Sequence, residues 1–380
     1  MLMTIRRANL DAMWSLEPAT IENNAREIKR GVRESKLVGL RPPYPPLGPW
    51  EVGDNIGFGL AIQMLLRSLD NGRRSDYVQY DTVRKLVSAY ANCYHASAGG
   101  RPQLVSLAKD KNKSYYTKCE AYTPWNEKFR KGCVKRMGQE SRQDLALPIA
   151  AFVVLLELLE KRKLNAVKFS EEAFITAVGA FVVIGVGGSY RGHEIPLTDL
   201  HGLRKYLDEG REGPDEHVVI PMLGRFKGET GERYHLTPLA AVTKSGLKIR
   251  EWVDALVRVR ERQGRINGPA FCDDKTGKPM RARDYEFYIL DALVSVQQAR
   301  PDLIGAEVNV LEDVGVSRTL RRSAVVEATE AGVSAEDIDR MNRWRSVENA
   351  AGKNVNLRMR DHYADIRLLL KALLRFSQAL

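Results

Sequence analysis

VSRTLRRSAVVEATEAGVSAEDIDRMNRWRS, Val316 to Ser346, opens on a cluster of arginines and closes on a tryptophan between two more. Arg318, Arg321 and Arg322 come first, and Ala324, Val325, Ala328 and Ala331 then recur at helical spacing. A helix of this pattern buries one face and aims guanidinium groups outward at its N-terminal end. Arg321 follows Arg318 by close to one helical turn, so both can converge on a single oxyanion. The stretch reads as half of a phosphate site, and the remainder of the chain must supply the other half and the group that attacks.

Length and composition bound the search. At 380 residues the chain is long enough for two cores. Its 59 Lys and Arg against 48 Asp and Glu, a formal charge of +11, favour a polyanionic partner, with nucleic acid ahead of an anionic membrane. A hydrophobic content of 44% is ordinary for a folded soluble protein. Cys93, Cys119, Cys133 and Cys272 are scattered without a CxxC pair, which argues against a zinc site and a disulfide framework and fits a reducing compartment. The opening MLMTIRRANLDAMWS has no apolar stretch of signal-peptide length, so secretion is not expected. AFITAVGAFVVIGVGG, Ala173 to Gly188, is nearly free of charge but falls short of the roughly 20 residues of a membrane span. Lys168, Glu171, Glu172 and Arg191 bracket it closely, and the expectation is a buried core helix.

Along the chain, residues 1 to about 40 read as a helical, mixed-charge segment, and RPPYPPLGPW breaks it at Arg41 to Trp50. Ile56 to His95 carries helical apolar spacing, enough for two or three helices. From Tyr115 to Met137, Tyr116, Tyr122, Trp125 and Phe129 interleave with Lys128, Arg130, Lys131, Lys135 and Arg136. Helical spacing would gather those cations on one or two faces able to follow a phosphate backbone. The polar GQESRQDLAL precedes the apolar helix Pro148 to Leu159, and the domain boundary is placed there, between residues 143 and 144. HVVIPMLGRFKGETGERYHLTPLA, His217 to Ala240, reads as a β-hairpin turning at Gly228 to Gly231. Helices are expected near Leu247 to Glu261 and Arg283 to Gln298, and the chain closes on RMRDHYADIRLLLKALLRFSQAL.

Five separated pieces of the second half resemble, in order and context, the tyrosine recombinase (phage integrase) family, whose pattern is Arg, a hairpin Lys, His-x-x-Arg, His or Trp, then Tyr. Arg191 in YRGHEI, followed by Glu194 and Ile195, is similar to the family's first arginine. Lys227 in FKGETGERYHLTPL resembles the hairpin lysine, Arg318-Thr-Leu-Arg321 occupies the His-x-x-Arg position, Trp344 matches the His or Trp, and Tyr363 in DHYADI looks like the nucleophile. The resemblance covers about residues 145 to 380. The amino-terminal half resembles the helical core-binding domain in composition and placement, and loosely those of eukaryotic cryptons and the DIRS group.

That resemblance implies a mainly α fold with a small β-hairpin (α+β), built as a two-domain DNA clamp: a helical core-binding domain over 1–143 and a catalytic domain over 144–380. It implies double-stranded DNA as partner, a homodimer on one site and a homotetramer in synapsis, no membrane, and residence wherever target DNA lies, in cytoplasm, nucleoid or nucleus. Arg191 and Arg321 would clamp the nonbridging oxygens of a phosphodiester, and Tyr363 would attack to give a 3′-phosphotyrosyl link. Lys227 would protonate the leaving 5′-oxygen, Trp344 would donate its indole N–H, and Glu194 would orient its neighbours. No metal or cofactor is implied, and no GxxxxGK[ST] loop is present for ATP. Two departures stand out. Arg318 replaces the usual histidine and cannot accept a proton at working pH, although it can still donate to a phosphate oxygen. The spacing from Trp344 to Tyr363 exceeds the family's usual value, and an enlarged loop there would make the tyrosine mobile or place it in a neighbouring protomer; His362, beside Tyr363, would partly replace the missing histidine. An inactive recombinase-derived DNA-binding protein and a type IB topoisomerase-like swivelase remain as alternatives.

Overall fold

The structure, a computed structural model, describes residues 18–39, 56–69, 80–97, 103–105, 115–117, 124–137, 145–212, 215–224, 233–342 and 366–380. The chain divides into two compact units, Met1–Ser141 and Arg142–Leu380. Among the described residues each is mainly helical and carries a two-stranded antiparallel ladder, the expected α+β class.

The first unit contains α1 (Pro18–Leu37), α2 (Ile56–Ser68), α3 (Tyr80–Ser97), β1 (Gln103–Val105), β2 (Tyr115–Thr117) and α4 (Pro124–Met137). Leu60 and Met64, one turn apart on α2, meet Val83, Leu86, Val87 and Tyr90 of α3, and half-buried Ile28, Val32 and Phe129 close the core. A polar seam crosses it. Arg67 of α2 is fully buried, paired with Glu27 and, at 3.3 Å, with Glu34 of α1, while Gln63 donates to the Gly31 carbonyl at 3.1 Å. A buried guanidinium without its carboxylates would cost several kcal/mol, so this seam fixes how α1 meets α2.

The helical spacing expected from Tyr115 onward is corrected by the structure. Tyr115–Thr117 is a strand, paired with Gln103–Val105 from Gln103↔Thr117 to Val105↔Tyr115. Two tyrosines and a threonine suit a pleated surface, and the helix starts only at Pro124, whose fixed φ and missing N–H suit a first turn.

The second unit is assembled around α6. Its elements are α5 (Ile149–Leu164), α6 (Phe169–Gly187), a 3-10 turn at Ile195–Leu197, α7 (Leu200–Lys205), β3 (His217–Gly224), β4 (Arg233–Ala240), α8 (Ile249–Arg262), α9 (Ala282–Ala299), α10 (Val310–Asp313), α11 (Val316–Glu330), α12 (Ala335–Asn342) and α13 (Ile366–Ala379). By length and composition α6 could cross a membrane, but every residue from Ile175 to Gly187 is buried, with α5, α8, α9 and α11 packed on it. Phe181 stacks on Tyr285 of α9 with ring centroids 5.1 Å apart. A Cβ at Gly185 would lie 2.8 Å from Leu320 Cδ1 and 2.9 Å from Ile195 Cδ1, so a residue without a side chain lets α11 and the 3-10 turn close on α6.

The hairpin is present, in register from His217↔Ala240 to Gly224↔Arg233. Its outer edges are both used. On one side Asp199 N–H donates to the Pro221 carbonyl at 2.9 Å, tying β3 to the segment after the 3-10 turn. On the other, Ala240 N–H donates to Ser377 Oγ at 3.0 Å, and α13 packs against β4, α12 and α11 with Phe376 fully buried. Arg375 of α13 pairs with Asp337 of α12 at 3.1 Å.

Candidate active site

The site begins where α6 ends. Tyr190 N–H donates to the Gly185 carbonyl at 3.1 Å and Ser189 N–H to the Val186 carbonyl at 3.0 Å, the paired bonds of a Schellman motif. The motif needs a left-handed residue, usually glycine, yet Ser189 fills it at φ 48°. A side chain there costs about 1–2 kcal/mol. Three contacts offset the strain. The Ser189 hydroxyl donates to Asn342 Oδ1 at 2.9 Å, its carbonyl accepts from Arg321 Nη1 at 3.1 Å, and Arg321 Nη2 donates to the Asn342 carbonyl at 2.7 Å. Arg321 is 8% exposed, and Ser189 and Asn342 are fully buried.

Two residues further on, Arg191 folds back onto Glu194. Its Nη1 donates to Oε1 at 2.8 Å and its backbone N–H to Oε2 at 2.9 Å. The carboxylate is fully buried, whereas the Arg191 side chain remains 29% exposed. Burial makes the carboxylate depend on this pairing, and the pairing in turn aims the guanidinium outward from a fixed base. The loop then lies on the first turn of α11. Gly192 N–H donates to the Ser317 carbonyl at 3.3 Å, and a Cβ at Gly192 would lie 2.9 Å from Ser317 Cα, too near for any side chain. The short segment from Ser189 to Glu194 thus holds Arg191 by Glu194, Arg321 by the Ser189 carbonyl, and the turn carrying Arg318 by Gly192. Arg318 itself is exposed.

The structure brings together four residues expected from the sequence: Arg191, Glu194, Arg318 and Arg321. Lys227, Trp344, His362 and Tyr363 lie outside the described residues. Each borders a described element: Lys227 is three residues past Gly224, Trp344 two past Asn342, and Tyr363 three before Ile366. On α4 the expected basic residues divide. Lys128, Lys131 and Lys135 are exposed at i, i+3 and i+7, one stripe of the helix. Arg130 is half-buried with Nε 3.2 Å from the Tyr80 hydroxyl, and Arg136 reaches the Ser68 carbonyl at 3.3 Å and its hydroxyl. Phe129 packs into the core of the first unit.

Sequence reasoning missed Ser189 and Asn342. Gly-Gly-Ser closing an apolar helix was a legible sign of a left-handed cap. Asn342 had no local signal, because its partner Ser189 lies 153 residues away.

No protein-family model and no curated protein matches the chain. Among solved structures it is similar to a lambda integrase dimer bound to a COC′ core site, at 12% identity and a TM-score of 0.46, over 89% of this chain and 92% of that one. It is also similar to an integrase from mycobacterium phage Brujita, at 13% identity and a TM-score of 0.32, over 98% of this chain and 92% of that one.

Proposed function

We propose that this chain cleaves and rejoins DNA strands through a covalent 3′-phosphotyrosyl intermediate, as a recombinase, integrase or transposase of the tyrosine recombinase kind. The observation that carries the reading is the Ser189–Glu194 loop seated on α11, which serves Arg191 and Arg321 from one short segment. Two guanidinium groups held by one short segment suit the two nonbridging oxygens of a phosphodiester, whose charge rises as the bond is attacked. Removing one such donor costs about 10²–10³-fold in rate.

In the proposed reaction the phenol oxygen of Tyr363 forms a bond to phosphorus and the bond from phosphorus to the 5′-oxygen breaks. The phenol gives up its proton to water, and the departing 5′-oxygen takes one from the Lys227 ammonium. The diester is conserved as a phosphotyrosyl diester, so the 5′-hydroxyl of the same or another strand can reverse the step without ATP or metal. In the sequence Lys227 follows Gly224 by three residues and Tyr363 precedes Ile366 by three. The end of β3 meets the 3-10 turn that follows Glu194, since a Cβ at Gly224 would lie 2.8 Å from Leu197 Cδ1. Trp344 follows Asn342 by two residues and supplies an indole donor. Lys128, Lys131 and Lys135 contact the phosphate backbone from the first unit, and the two units form a clamp on double-stranded DNA. Binding to one site as a homodimer and synapsis as a homotetramer complete the reading.

The test is a set of nicked suicide duplexes drawn from the DNA flanking the gene, in which cleavage releases a short strand and traps the protein. Wild type is expected to form a covalent adduct and Tyr363→Phe none, with equal duplex affinity. Tight binding without an adduct means an inactive DNA-binding protein. Adduct formation with relaxation of supercoils but no exchange between duplexes means a swivelase.

A further inference from the structure

The loop holds Arg321 through groups outside the expected site, and these form a closed circuit. Asn342 makes three bonds: its Oδ1 accepts from Ser189, its Nδ2 donates to the Ile338 carbonyl at 2.8 Å, and its own carbonyl accepts from Arg321. The two Nη atoms of Arg321 are therefore gripped from different sides, one by the loop after α6 and one by the last residue of α12. Two fixed bonds define the plane of a guanidinium, which is rigid and delivers its hydrogen bonds as a fork. Ser189 adds a second clue. A glycine at φ 48° would relieve the strain, so the serine stands there at an energetic cost, and its hydroxyl faces two acceptors, Asn342 Oδ1 at 2.9 Å and the Arg321 carbonyl at 3.5 Å, the first the shorter.

We propose that Ser189 and Asn342 are positioning residues: their buried hydrogen bond locks the loop after α6 to the end of α12 and so sets the plane in which Arg321 meets a phosphate. The inference rests on the recombinase reading for its effect on rate. The circuit also ties together positions the reaction uses, since Ser189 precedes Arg191 by two residues and Asn342 precedes Trp344 by two. Loss of the lock removes no catalytic residue but lets the Arg321 plane and the end of α12 shift, and a misplacement of about 1 Å can cost about 10²-fold in rate.

The experiment compares wild type, Ser189→Gly, Asn342→Ala and Asn342→Asp in two measurements. One is the rate of covalent trapping on a nicked duplex, with duplex Kd and Tm measured alongside. The other is the arginine side-chain N–H spectrum of protein labelled with 15N-arginine, in which the Arg321 signal is assigned by its loss in Arg321→Lys. Ser189→Gly keeps the carbonyl and the backbone conformation and removes the side chain with both bonds of its hydroxyl. It is expected to keep or raise Tm, leave Kd unchanged, shift the Arg321 signal and speed its exchange, and lower the trapping rate about 10- to 100-fold. Asn342→Asp, which keeps the acceptor, is expected to retain more of the rate than Asn342→Ala. A purely structural serine predicts no loss on going to glycine. An unchanged Arg321 signal in Ser189→Gly overturns the proposal whatever the trapping rate, and so does a changed signal with trapping at the wild-type rate. A changed signal in a wild-type background that traps no DNA leaves the positioning intact and removes the recombinase reading instead.

Discussion

The Arg191–Glu194 pair predicts an asymmetry between its two halves. The carboxylate is fully buried and the guanidinium is 29% exposed, so the groups left behind by deletion differ. Arg191→Ala takes the guanidinium charge from a carboxylate where water does not reach and leaves it the residue-191 backbone N–H, a loss of about 3–5 kcal/mol. Glu194→Ala strands a guanidinium that water can still reach; two charge-assisted bonds at about 1.5–3 kcal/mol each, discounted for that hydration, leave about 1–3 kcal/mol. The double substitution removes the buried carboxylate together with its counter-charge and should be more stable than Arg191→Ala alone, with a coupling of about 1–3 kcal/mol. For a unit of this size, Arg191→Ala lowers Tm by roughly 6–20 °C, since each kcal/mol is worth about 2–4 °C. Thermal and denaturant unfolding of the four proteins closes the cycle. A larger loss for Glu194→Ala than for Arg191→Ala, or a double mutant that costs the sum, would refute the reasoning. The result bears on function as well, because inactivity of Arg191→Ala then reflects partly a damaged fold, and Arg191→Ala/Glu194→Ala is the cleaner probe of the clamp.

Replacing Lys128, Lys131 and Lys135 together with alanine should weaken binding to all duplex sequences alike and reduce the slope of log K against log salt by about 2–3; an unchanged slope removes α4 from the interface. Gly185→Val should cost about 1–3 kcal/mol by overpacking against Leu320 and Ile195, read by equilibrium denaturation, and a neutral result would mean that α11 does not close on α6 as described. Arg67→Ala should destabilise the first unit by about 2–4 kcal/mol, discounted because Glu27 and Glu34 are partly exposed, with hydrogen exchange of α1 and α2 as the readout. Protection of α1 at the wild-type level would contradict that seam.

Features with a local cause were legible in the sequence. The apolar run of α6, the Val-Val-Ile and Tyr-His-Leu strands flanking a glycine turn, and arginines one turn apart on α11 each announce themselves within a dozen residues. Features with a distant cause were not. Nothing near Arg130 or Arg136 says that one turns to Tyr80 and the other to Ser68, 50 and 68 residues away. The strand at Tyr115–Thr117 depends on a partner at Gln103–Val105, and without it the segment reads as a continuation of α4. Glu194 was expected to orient its neighbours, but its complete burial, which makes the pair asymmetric, is a property of the packed loop. Ser189 lies between these cases: its glycine-like place was written locally, and its purpose only across the fold.

The central claim is that Tyr363 becomes bonded to DNA. The direct measurement is mass spectrometry of the trapped adduct after nuclease and protease digestion, which identifies the peptide carrying the nucleotide. The expected result is a 3′-nucleotidyl phosphate on the phenol of Tyr363 and its absence from Tyr363→Phe. A nucleotide on any other residue, or no adduct on suicide duplexes that wild type binds tightly, would contradict it.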